Sequence, residues 1–437
     1  MLKFRQLFLF AIVAIVAVSG FAGCADPKKK SKVQVSKGKP GIAKPVQPQE
    51  AKALPVSENP VELGKIAWGR NFEKAQKQSD KTGKPIYLML DEVPGCMGCK
   101  DFGTKVLSHP MVVAAINENF IPVFINNRPD KYATEYDKQM VKFFKESYWS
   151  YPVVRYMDKE GKDIIPRKQT LKLRENINRI MSVLKKRKVK LPVYLEIAEI
   201  ENADRKHEVA FFNMGCFWSG ERKLGKINGV VYQSFGFVKG SGGADEVVKV
   251  TYDPSIITLE KLLKIAKKNM CATRFIARDE DQLKIARKIW GKNAMLNKNP
   301  MREEEPQYSL KMGLPAIYYV PLTPLQAVKV NSYYNDPKIW KSILTPGQLV
   351  LAKRIDKFTS GKKTKQIHKM FKSINPDKYR RLKSETITAY TKKLEKLLDE
   401  MDAKEKGAEK AKPAKVKKTD AVKSETIKCP SATCPKK

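Results

Sequence analysis

The sequence predicts a protein of mixed α/β class, with two consecutive domains followed by helices and a basic tail. Two apolar runs typical of buried strands, Pro85–Leu90 and Val209–Phe212, are each followed by cysteine at the start of a helix-compatible segment. The length of 437 residues leaves room for two domains plus tails. The predicted segments are a signal peptide (1–24), a tether (25–60), a first domain (61–188), a second domain (205–335), a helical extension (336–403) and a disordered tail (404–437).

The N-terminus has the pattern of a secretory signal. Lys3 and Arg5 precede the apolar run Leu7–Val18, and small residues lead to Cys24. This resembles the bacterial lipobox, which implies that Cys24 carries the lipid. An uncleaved transmembrane anchor is the alternative, although the run is short for a span. The tether is rich in Lys, Pro, Val and Gln without helical or strand period. We therefore expect a lipoprotein anchored to a membrane of the cell envelope, facing the periplasm or the exterior.

The first domain carries a dithiol. An amphipathic helix around Trp68, Phe72 and Ala75 is followed by the strand Pro85–Leu90 and then by Cys96-Met97-Gly98-Cys99. A helix and then a second strand, Phe120–Ile125, are predicted to follow the dithiol. Two cysteines placed just after a buried strand, and opening a helix, are the thioredoxin arrangement. A zinc site is the alternative for Cys96 and Cys99, but no second pair of Cys or His lies nearby in the sequence.

A proline-containing strand completes the thioredoxin-like pattern. Tyr151-Pro152-Val153-Val154-Arg155-Tyr156 precedes Asp158-Lys159-Glu160-Gly161. This resembles the strand and hairpin of the thioredoxin family, and the resemblance implies a cis peptide bond before Pro152. Gly95 before the dithiol, and Met97-Gly98 within it, depart from the common Trp-Cys-Gly-Pro-Cys loop. Lys185–Lys190 is a basic segment that marks the predicted domain boundary, after which Leu191–Ile200 leads into the second domain.

The second domain presents a lone thiol at a strand-to-helix junction. Gly215 ends the strand, and Cys216 precedes the helix-compatible run from Phe217 to Leu224. A thiol at a helix N-terminus meets the positive end of the helix dipole, which stabilises a thiolate. Phe217 and Trp218 would form an apolar wall able to hold a methyl-sulfur group. The alternative for this segment alone is a buried structural cysteine among core aromatics.

The residues that follow extend the pattern. Asn228-Gly229-Val230-Val231, Phe235-Gly236-Phe237, Gly242–Val248 and Val250-Thr251-Tyr252-Asp253-Pro254 come in order, before the helix-like Leu259–Ile265. With Gly-Cys-Phe-Trp-x-x-Glu, this span resembles peptide methionine sulfoxide reductase A, whose fold is a ferredoxin-like α/β sandwich. The resemblance implies that Cys216 attacks the sulfoxide sulfur, that Phe217 and Trp218 hold the methyl group, and that Glu246 protonates the leaving oxygen.

The span also departs from that family. A tyrosine that contacts the sulfoxide oxygen in the family is replaced by Phe237, and the family's Asp-x-Gly-Thr-Gln-Tyr loop has no counterpart between Asn269 and Arg278. Gln307-Tyr308 is a weaker candidate replacement, because it follows the segment that normally comes after the loop. Losing one such donor can cost about 3 kcal/mol of transition-state stabilisation. The segment Ala316–Val320, followed by Pro321-Leu322-Thr323-Pro324, resembles the family's late strand and turn.

Three further cysteines are candidates for resolving an oxidised Cys216. Cys271 follows the predicted helix Leu259–Lys268, and Cys429 and Cys434 lie in the Lys-rich tail. Some family members carry recycling cysteines on a C-terminal segment, which the tail pair resembles. A structural disulfide or a weak metal site is the alternative for the tail pair, and a buried core cysteine is the alternative for Cys271.

The composition limits the classes of function. The formal net charge is +39, much of it in the tether, the Lys185–Lys190 segment and the tail. No nucleic-acid fold signature accompanies it, so we expect no nucleic-acid partner; anionic lipid, cell-wall polymer or acidic proteins are the expected partners of this charge. Of seven cysteines, one is assigned to lipid, and the other six suit a thiol relay in an exported protein. No cofactor and no metal are expected.

Three hypotheses remain open from the sequence. The leading one is an exported reductase of oxidised methionine in proteins or peptides, in which Cys96 and Cys99 recycle Cys216 and an upstream thiol–disulfide donor supplies electrons. The second is a thiol–disulfide oxidoreductase in which only the first domain is active and the second is a degenerate binding module. The third is a polycationic envelope-binding protein with vestigial redox domains, against which the presence of Cys216 and Glu246 argues.

Overall fold

The computed structural model describes residues 59–149, 152–240, 242–268, 272–304, 307–380 and 386–410, with side chains to residue 405 in the last stretch. The N-terminal part forms a four-stranded sheet of order β2-β1-β3-β4, in which β1 is parallel to β2 and antiparallel to β3. Its elements are α1 (Phe72–Thr82), β1 (Ile86–Asp91), α2 (Met97–Lys105), α3 (Pro110–Asn119), β2 (Ile121–Asn126), α4 (Glu135–Phe143), β3 (Val153–Met157), β4 (Lys168–Gln169) and α5 (Leu173–Lys186).

Strand β1 is an inner strand of this sheet, and the dithiol segment follows it in the chain. All six residues of β1 are buried, as expected for a strand covered by helices on both faces. The predicted strands are thus confirmed, each shifted by one residue. The first helix, however, begins only at Phe72, because Asn71 caps it by accepting a hydrogen bond from the Lys74 N–H. Trp68 precedes the helix and packs against the Tyr87 ring, with 5.8 Å between ring centroids.

A second, six-stranded sheet has the order β10-β6-β7-β5-β8-β9. It follows α6 (Val193–Asn202), which packs against α3 and α5 on one side and contacts two later helices on the other. The elements of this region are β5 (Glu208–Met214), α7 (Phe217–Gly225), β6 (Val230–Gly240), β7 (Gly243–Tyr252), α8 (Leu259–Lys268), β8 (Ala272–Ala277), α9 (Glu280–Trp290), β9 (Ala294–Leu296) and β10 (Met301–Glu303).

The predicted late strand Ala316–Val320 is wrong. The chain forms α10 (Tyr308–Gly313), α11 (Pro315–Tyr318) and α12 (Pro324–Ser332) instead. Pro315 and Pro324 each occupy the first turn of a helix, where the fixed φ of proline suits the backbone and its missing N–H costs nothing. Thr323 and Gln326 form a capping box at the start of α12. The apolar run therefore packs as a helix in spite of its strand-like composition.

The helical extension consists of α13 (Pro337–Ile343), α14 (Pro346–Thr359), α15 (Thr364–Met370), α16 (Asp377–Arg380) and α17 (Ile387–Lys410). Its buried aromatic and leucine side chains share one hydrophobic core with α3, α5 and α6. The last helix reaches Lys410, beyond the predicted end of the extension at residue 403, because Ala, Glu and Lys are strong helix formers even without a core pattern. No helix in the described ranges is long and apolar enough to cross a membrane.

Candidate active sites

The first candidate site, called here the dithiol site, consists of Cys96, Cys99 and Asp91. Cys96 is the N-cap residue of α2 and is exposed, whereas Cys99 lies one turn later and is fully buried. The two Sγ atoms are 3.3 Å apart and both thiols are free. Gly95 is required here, since a Cβ at this position would lie 2.3 Å from the Glu92 carbonyl oxygen. The sequence prediction that the dithiol opens a helix is confirmed.

Asp91 ends β1 directly beneath the dithiol, and sequence reasoning missed it. Burial raises the pKa of the Asp91 carboxyl to about 7, while contacts with the Cys99 thiol and the Glu92 N–H oppose that rise. Burial, together with the neighbouring Asp91 charge, raises the pKa of the Cys99 thiol. A carboxyl group that titrates near neutrality beside a buried thiol can accept the proton of that thiol during exchange. The available signal was the acid at the end of an otherwise apolar strand.

The loop before the dithiol is held by the end of β2. The Asn126 side chain donates to the Val93 carbonyl at 2.6 Å and accepts from the Val93 N–H at 3.3 Å. The Arg128 guanidinium donates to the Pro94 carbonyl and packs over the exposed Trp149 ring, 4.7 Å from its centroid. These contacts fix the backbone on which Cys96 stands, so the exposed sulfur is preorganised for a partner.

Pro152, the other residue predicted for the dithiol site, is buried and directly precedes β3. The peptide bond that joins it to Tyr151 lies outside the described residues, so the cis conformation remains a prediction. A cis peptide bond is present between Val93 and Pro94, three residues before the dithiol.

The second candidate site, called here the Cys216 site, lies at the N-terminus of α7. Cys216 is exposed and is the N-cap residue of the helix, as predicted from Gly215 and the preceding strand. Glu246 on β7 reaches the same helix end, where its Oε2 accepts a hydrogen bond of 3.0 Å from the Phe217 N–H. Glu246 is partly buried and pairs across the sheet with Phe237 on β6. The structure therefore brings the predicted thiol and the predicted acid together.

Aromatic rings form a wall beside Cys216. Phe217 is buried, stacks on Phe235 with 4.5 Å between centroids, and meets Phe237 edge-on at 5.4 Å. Trp218 is 41 % exposed and contacts Phe217 on one side. Its other contact is Tyr308, whose ring stacks on the indole at 4.0 Å and 8° between planes. An exposed indole next to an exposed thiol offers an apolar surface of the kind that suits a methyl-sulfur group.

A buried carboxyl group, that of Glu221, holds the segment that places Tyr308 at this wall. The sequence alone gave Glu221 no role. Glu221, one turn into α7, accepts hydrogen bonds from the Gln307 N–H at 2.7 Å and from the Asn331 amide at 3.0 Å. Gln307 adopts a left-handed backbone with φ of 59°. Burial raises the pKa of Glu221 to about 7, opposed by these N–H donors. Glu221 thus positions the Gln307-Tyr308 segment, which sequence order alone had made a weak candidate.

The other predicted cysteines are not described by the structure. Cys24, Cys271, Cys429 and Cys434 all lie outside the described residues. In place of the missing family loop, the described part of the segment between Asn269 and Arg278 forms strand β8. Which thiol resolves an oxidised Cys216 therefore remains a prediction.

A comparison with protein families matches the part of the chain that holds the dithiol site. Residues 67–159 match the thioredoxin-like family model. That range contains the whole dithiol site, so the region is thioredoxin-like.

The chain is also similar to curated proteins named peptide methionine sulfoxide reductase MsrA. The chain is 39 % identical over 75 residues to the peptide methionine sulfoxide reductase MsrA of Methanococcus maripaludis strain C7, covering 14 % of this chain and 48 % of that protein. It is 32 % identical over 87 residues to the protein of that name from Salmonella paratyphi B, covering 17 % and 41 %. The Escherichia coli O157:H7 protein is 35 % identical over 75 residues, covering 14 % and 35 %. The chain thus spans less than half the length of these relatives.

Two solved structures show distant likeness. The first, titled DsbH Oxidoreductase, is 17 % identical, with a TM-score of 0.25, and the match covers 32 % of this chain and 95 % of that one. The second is Mxr1 from Saccharomyces cerevisiae in complex with Trx2, which is 22 % identical with a TM-score of 0.19, over 23 % and 81 % of the two chains.

Proposed function

We propose that this protein reduces the S epimer of methionine sulfoxide in proteins or peptides at Cys216, and that the dithiol site returns Cys216 to its thiol form. The observation that carries the proposal is the meeting of Cys216, Glu246 and the Trp218 wall at one helix N-terminus. A nucleophilic sulfur, an acid and an apolar surface are the three elements that sulfoxide reduction needs. The partial sequence similarity to methionine sulfoxide reductases supports the same reaction.

The first step transfers one oxygen atom. The Cys216 thiolate attacks the sulfoxide sulfur, and Glu246 gives its proton to the sulfoxide oxygen. The sulfur–oxygen bond of the substrate breaks as the oxygen passes to Cys216. Methionine leaves as the thioether, reduced by two electrons, and Cys216 is left as a sulfenic acid, oxidised by two electrons.

The second step returns the electrons. A thiol condenses with the sulfenic acid, which releases water and forms a disulfide to Cys216. Cys96 then attacks that disulfide, which releases one of its two cysteines as a thiolate and leaves Cys96 in a mixed disulfide with the other. Cys99, losing its proton towards Asp91, attacks the Cys96 sulfur and releases that second cysteine, so that Cys96 and Cys99 end as a disulfide. The dithiol is oxidised to a disulfide in the process, so an upstream thiol–disulfide donor must reduce it. The candidates for the resolving thiol are Cys271, Cys429 and Cys434, and the alternative is direct resolution by Cys96 or Cys99.

The alternative is a thiol–disulfide oxidoreductase whose Cys216 region only binds. A difference between the two sites favours this alternative. The dithiol site has its buried acid Asp91 in place, whereas at the Cys216 site Phe237 lacks the hydroxyl that the reductase family has there. Tyr308 offers a hydroxyl at the same wall, which favours the leading proposal.

The decisive experiment measures sulfoxide loss from a peptide by the purified full chain with dithiothreitol as reductant. We expect loss of the S epimer only. After a single turnover without reductant, Cys216 should be protected from alkylation because it is oxidised. A Cys216→Ser variant is the control, since it removes the nucleophile with the smallest change of volume. Equal turnover by this variant and the native chain would assign the reaction elsewhere, and no turnover by either would favour the alternative.

We propose further that the protein is exported and anchored by lipid at Cys24, as the N-terminal pattern indicates. Metabolic labelling with a fatty acid in a bacterial host should mark the native chain in the membrane fraction. A Cys24→Ala variant should lose the label, and retention of label by that variant would contradict the assignment.

A further inference from the structure

Glu92 is an acidic side chain of the dithiol loop that the redox chemistry does not use. One carboxylate oxygen of Glu92 and the two sulfur atoms of Cys96 and Cys99 all lie within 4.8 Å of one another. Glu92 is only 8 % exposed, Cys99 is fully buried, and Cys96 faces solvent. Three potential ligand atoms of two chemical kinds therefore lie close together, and one of them, the Cys96 sulfur, belongs to an exposed residue.

The spacing suits a small tetrahedral ion. Zinc binds cysteine sulfur at about 2.3 Å and carboxylate oxygen at about 2.1 Å, which places two sulfur ligands about 3.8 Å apart and a sulfur and an oxygen about 3.5 Å apart. The observed separation of the Cys96 and Cys99 sulfurs is 3.3 Å. The sulfurs would need to open by about 0.5 Å and the carboxylate to approach by a change of rotamer. Movements of that size lie within the freedom of side chains alone.

The surroundings leave Glu92 available. The cation whose charge acts on the Glu92 carboxylate is Arg128. The guanidinium of Arg128 already donates to both carboxylate oxygens of Asp130 and to the Pro94 carbonyl. The guanidinium of Arg128 is therefore bound to other acceptors, and one carboxylate oxygen of Glu92 lies within 4.8 Å of both sulfurs.

We propose that Glu92, Cys96 and Cys99 form a binding site for a thiophilic divalent cation, Zn²⁺, when the dithiol is reduced. Binding exchanges two thiol protons for the metal, so that one Zn²⁺ enters and two protons leave to solvent. No electron moves in this step. A disulfide and a zinc complex use the same two sulfurs, so the ion holds the dithiol in its reduced form and out of thiol–disulfide exchange.

Glu92 distinguishes this site from an ordinary pair of cysteines. Two thiolates alone give zinc two ligands, whereas a protein carboxylate as the third ligand leaves one open position for water. The zinc alternative weighed from the sequence considered only a second pair of Cys or His residues, and no such pair lies near the dithiol in the sequence. The carboxylate next to the end of β1 supplies the missing ligand.

The test measures zinc affinity of the reduced full chain by competition with a chromophoric chelator. The tail cysteines are replaced in the reference protein (Cys429→Ser with Cys434→Ser), so that they contribute no ligand. The variants are Cys96→Ser with Cys99→Ser, Glu92→Gln and Glu92→His. Glu135→Gln is the matched control, because it removes one glutamate charge from an 81 % exposed side chain on α4.

We expect the reference protein to bind one zinc ion more than the double serine variant. Glu92→Gln should weaken the binding of that ion at least tenfold. Glu92→His should keep most of the zinc affinity through an imidazole ligand, and Glu135→Gln should have the same affinity as the reference protein. In the reference protein, one equivalent of zinc should also block alkylation of Cys96, and a chelator should restore it. This readout needs no sulfoxide, so it stands whether or not Cys216 is catalytic.

Two results would overturn the proposal. Equal affinities of Glu92→Gln and Glu135→Gln would mean that the carboxylate is not a ligand and that the cysteines alone bind adventitiously. An unchanged zinc count in the double serine variant would place the ion elsewhere in the chain.

Discussion

The dithiol site and the Cys216 site share one local plan and differ in where the acid lies. In both, a buried strand ends, a cysteine caps the next helix, and that cysteine is exposed. At the dithiol site the acid Asp91 is buried behind the sulfurs, beside Cys99. At the Cys216 site the acid Glu246 bonds the helix N-terminus from the neighbouring strand. The location of the acid therefore decides which atom can receive or give a proton.

This difference separates two kinds of chemistry. An acid behind a thiol serves exchange between sulfurs, because the proton that moves belongs to the thiol itself. An acid beside a thiol, facing the same opening as an aromatic wall, serves a ligand that carries its own proton acceptor, such as a sulfoxide oxygen. The aromatic wall at Trp218 has no equivalent against Cys96 among the described contacts, where Trp149 instead packs on Arg128. The following predictions test this comparison.

The largest expected effect is a double dissociation between the two sites. Cys216→Ser should abolish sulfoxide reduction while the reduction of a disulfide substrate by the dithiol continues at the native rate. Cys96→Ser should abolish disulfide reduction, yet sulfoxide reduction driven by dithiothreitol should persist, because the small reductant replaces the dithiol. Both activities are measured on each purified variant. Loss of both activities in either variant, with the fold intact by circular dichroism, would show that the sites do not work separately.

Replacing the acid of the Cys216 site should have the next largest effect. Glu246→Gln keeps an oxygen that can accept from the Phe217 N–H, so the helix end is preserved while the proton is lost. We expect turnover to fall about 10²-fold to 10⁴-fold, the usual value of general acid catalysis. The measurement is the single-turnover rate across pH, in which the limb due to the acid should disappear.

The control for that change replaces Glu221, the buried acid on α7, which is the helix that follows Cys216. Glu221→Gln leaves Glu246 in place and disturbs only the hydrogen bonds to Gln307 and Asn331. It should slow turnover without removing the pH limb. If the limb disappears in Glu221→Gln and persists in Glu246→Gln, the proton comes from Glu221.

Much of the local structure was predictable from the sequence, because it depends on neighbouring residues. Gly215 ending the strand and Cys216 opening the helix are features of adjacent positions, and so is the acid Asp91, which could have been noticed. The strand predicted at Ala316–Val320 failed because Pro315 starts a helix that buries the same apolar residues. Tyr308 could not be placed on Trp218, since that contact joins positions ninety residues apart and depends on buried Glu221.

A smaller effect is expected from Asp91→Asn at the dithiol site. The folded pKa of about 7 lies above the ordinary value of 3.8, so folding favours the protonated form. Stability from this group is fully present below about pH 4 and is lost as pH rises through 7. Asn removes that loss, and we expect a gain of about 1–3 kcal/mol in the free energy of unfolding at pH 8. Urea unfolding at pH 5 and pH 8 measures it.

The same variant should show a cost in chemistry. Without Asp91 the proton of Cys99 has no acceptor, so the mixed disulfide between Cys96 and a substrate should resolve about tenfold more slowly and accumulate. Gel analysis after acid quenching detects the adduct. A variant that is neither stabilised at pH 8 nor slowed in resolution would mean that the pKa of Asp91 is not raised in the folded protein and that Asp91 does not accept the proton of Cys99.

The smallest effect concerns the hydroxyl groups at the aromatic wall. Phe237 faces Glu246 across the sheet, and its ring edge meets Phe217. Phe237→Tyr adds a hydroxyl where the reductase family has one, so sulfoxide turnover should rise about threefold to tenfold if an oxygen contact is missing.

Tyr308→Phe is the matched change, because it keeps the stack on Trp218 and removes a hydroxyl. We expect it to lower turnover, and most of that loss should be recovered in the double variant, since one hydroxyl then substitutes for the other. Additive effects of the two changes, measured as the coupling in a double-mutant cycle, would mean that the hydroxyls act on different atoms. A loss in Phe237→Tyr alone would indicate that the extra atom overpacks the pocket against Phe217, and that this wall holds its ligand differently from the family it resembles.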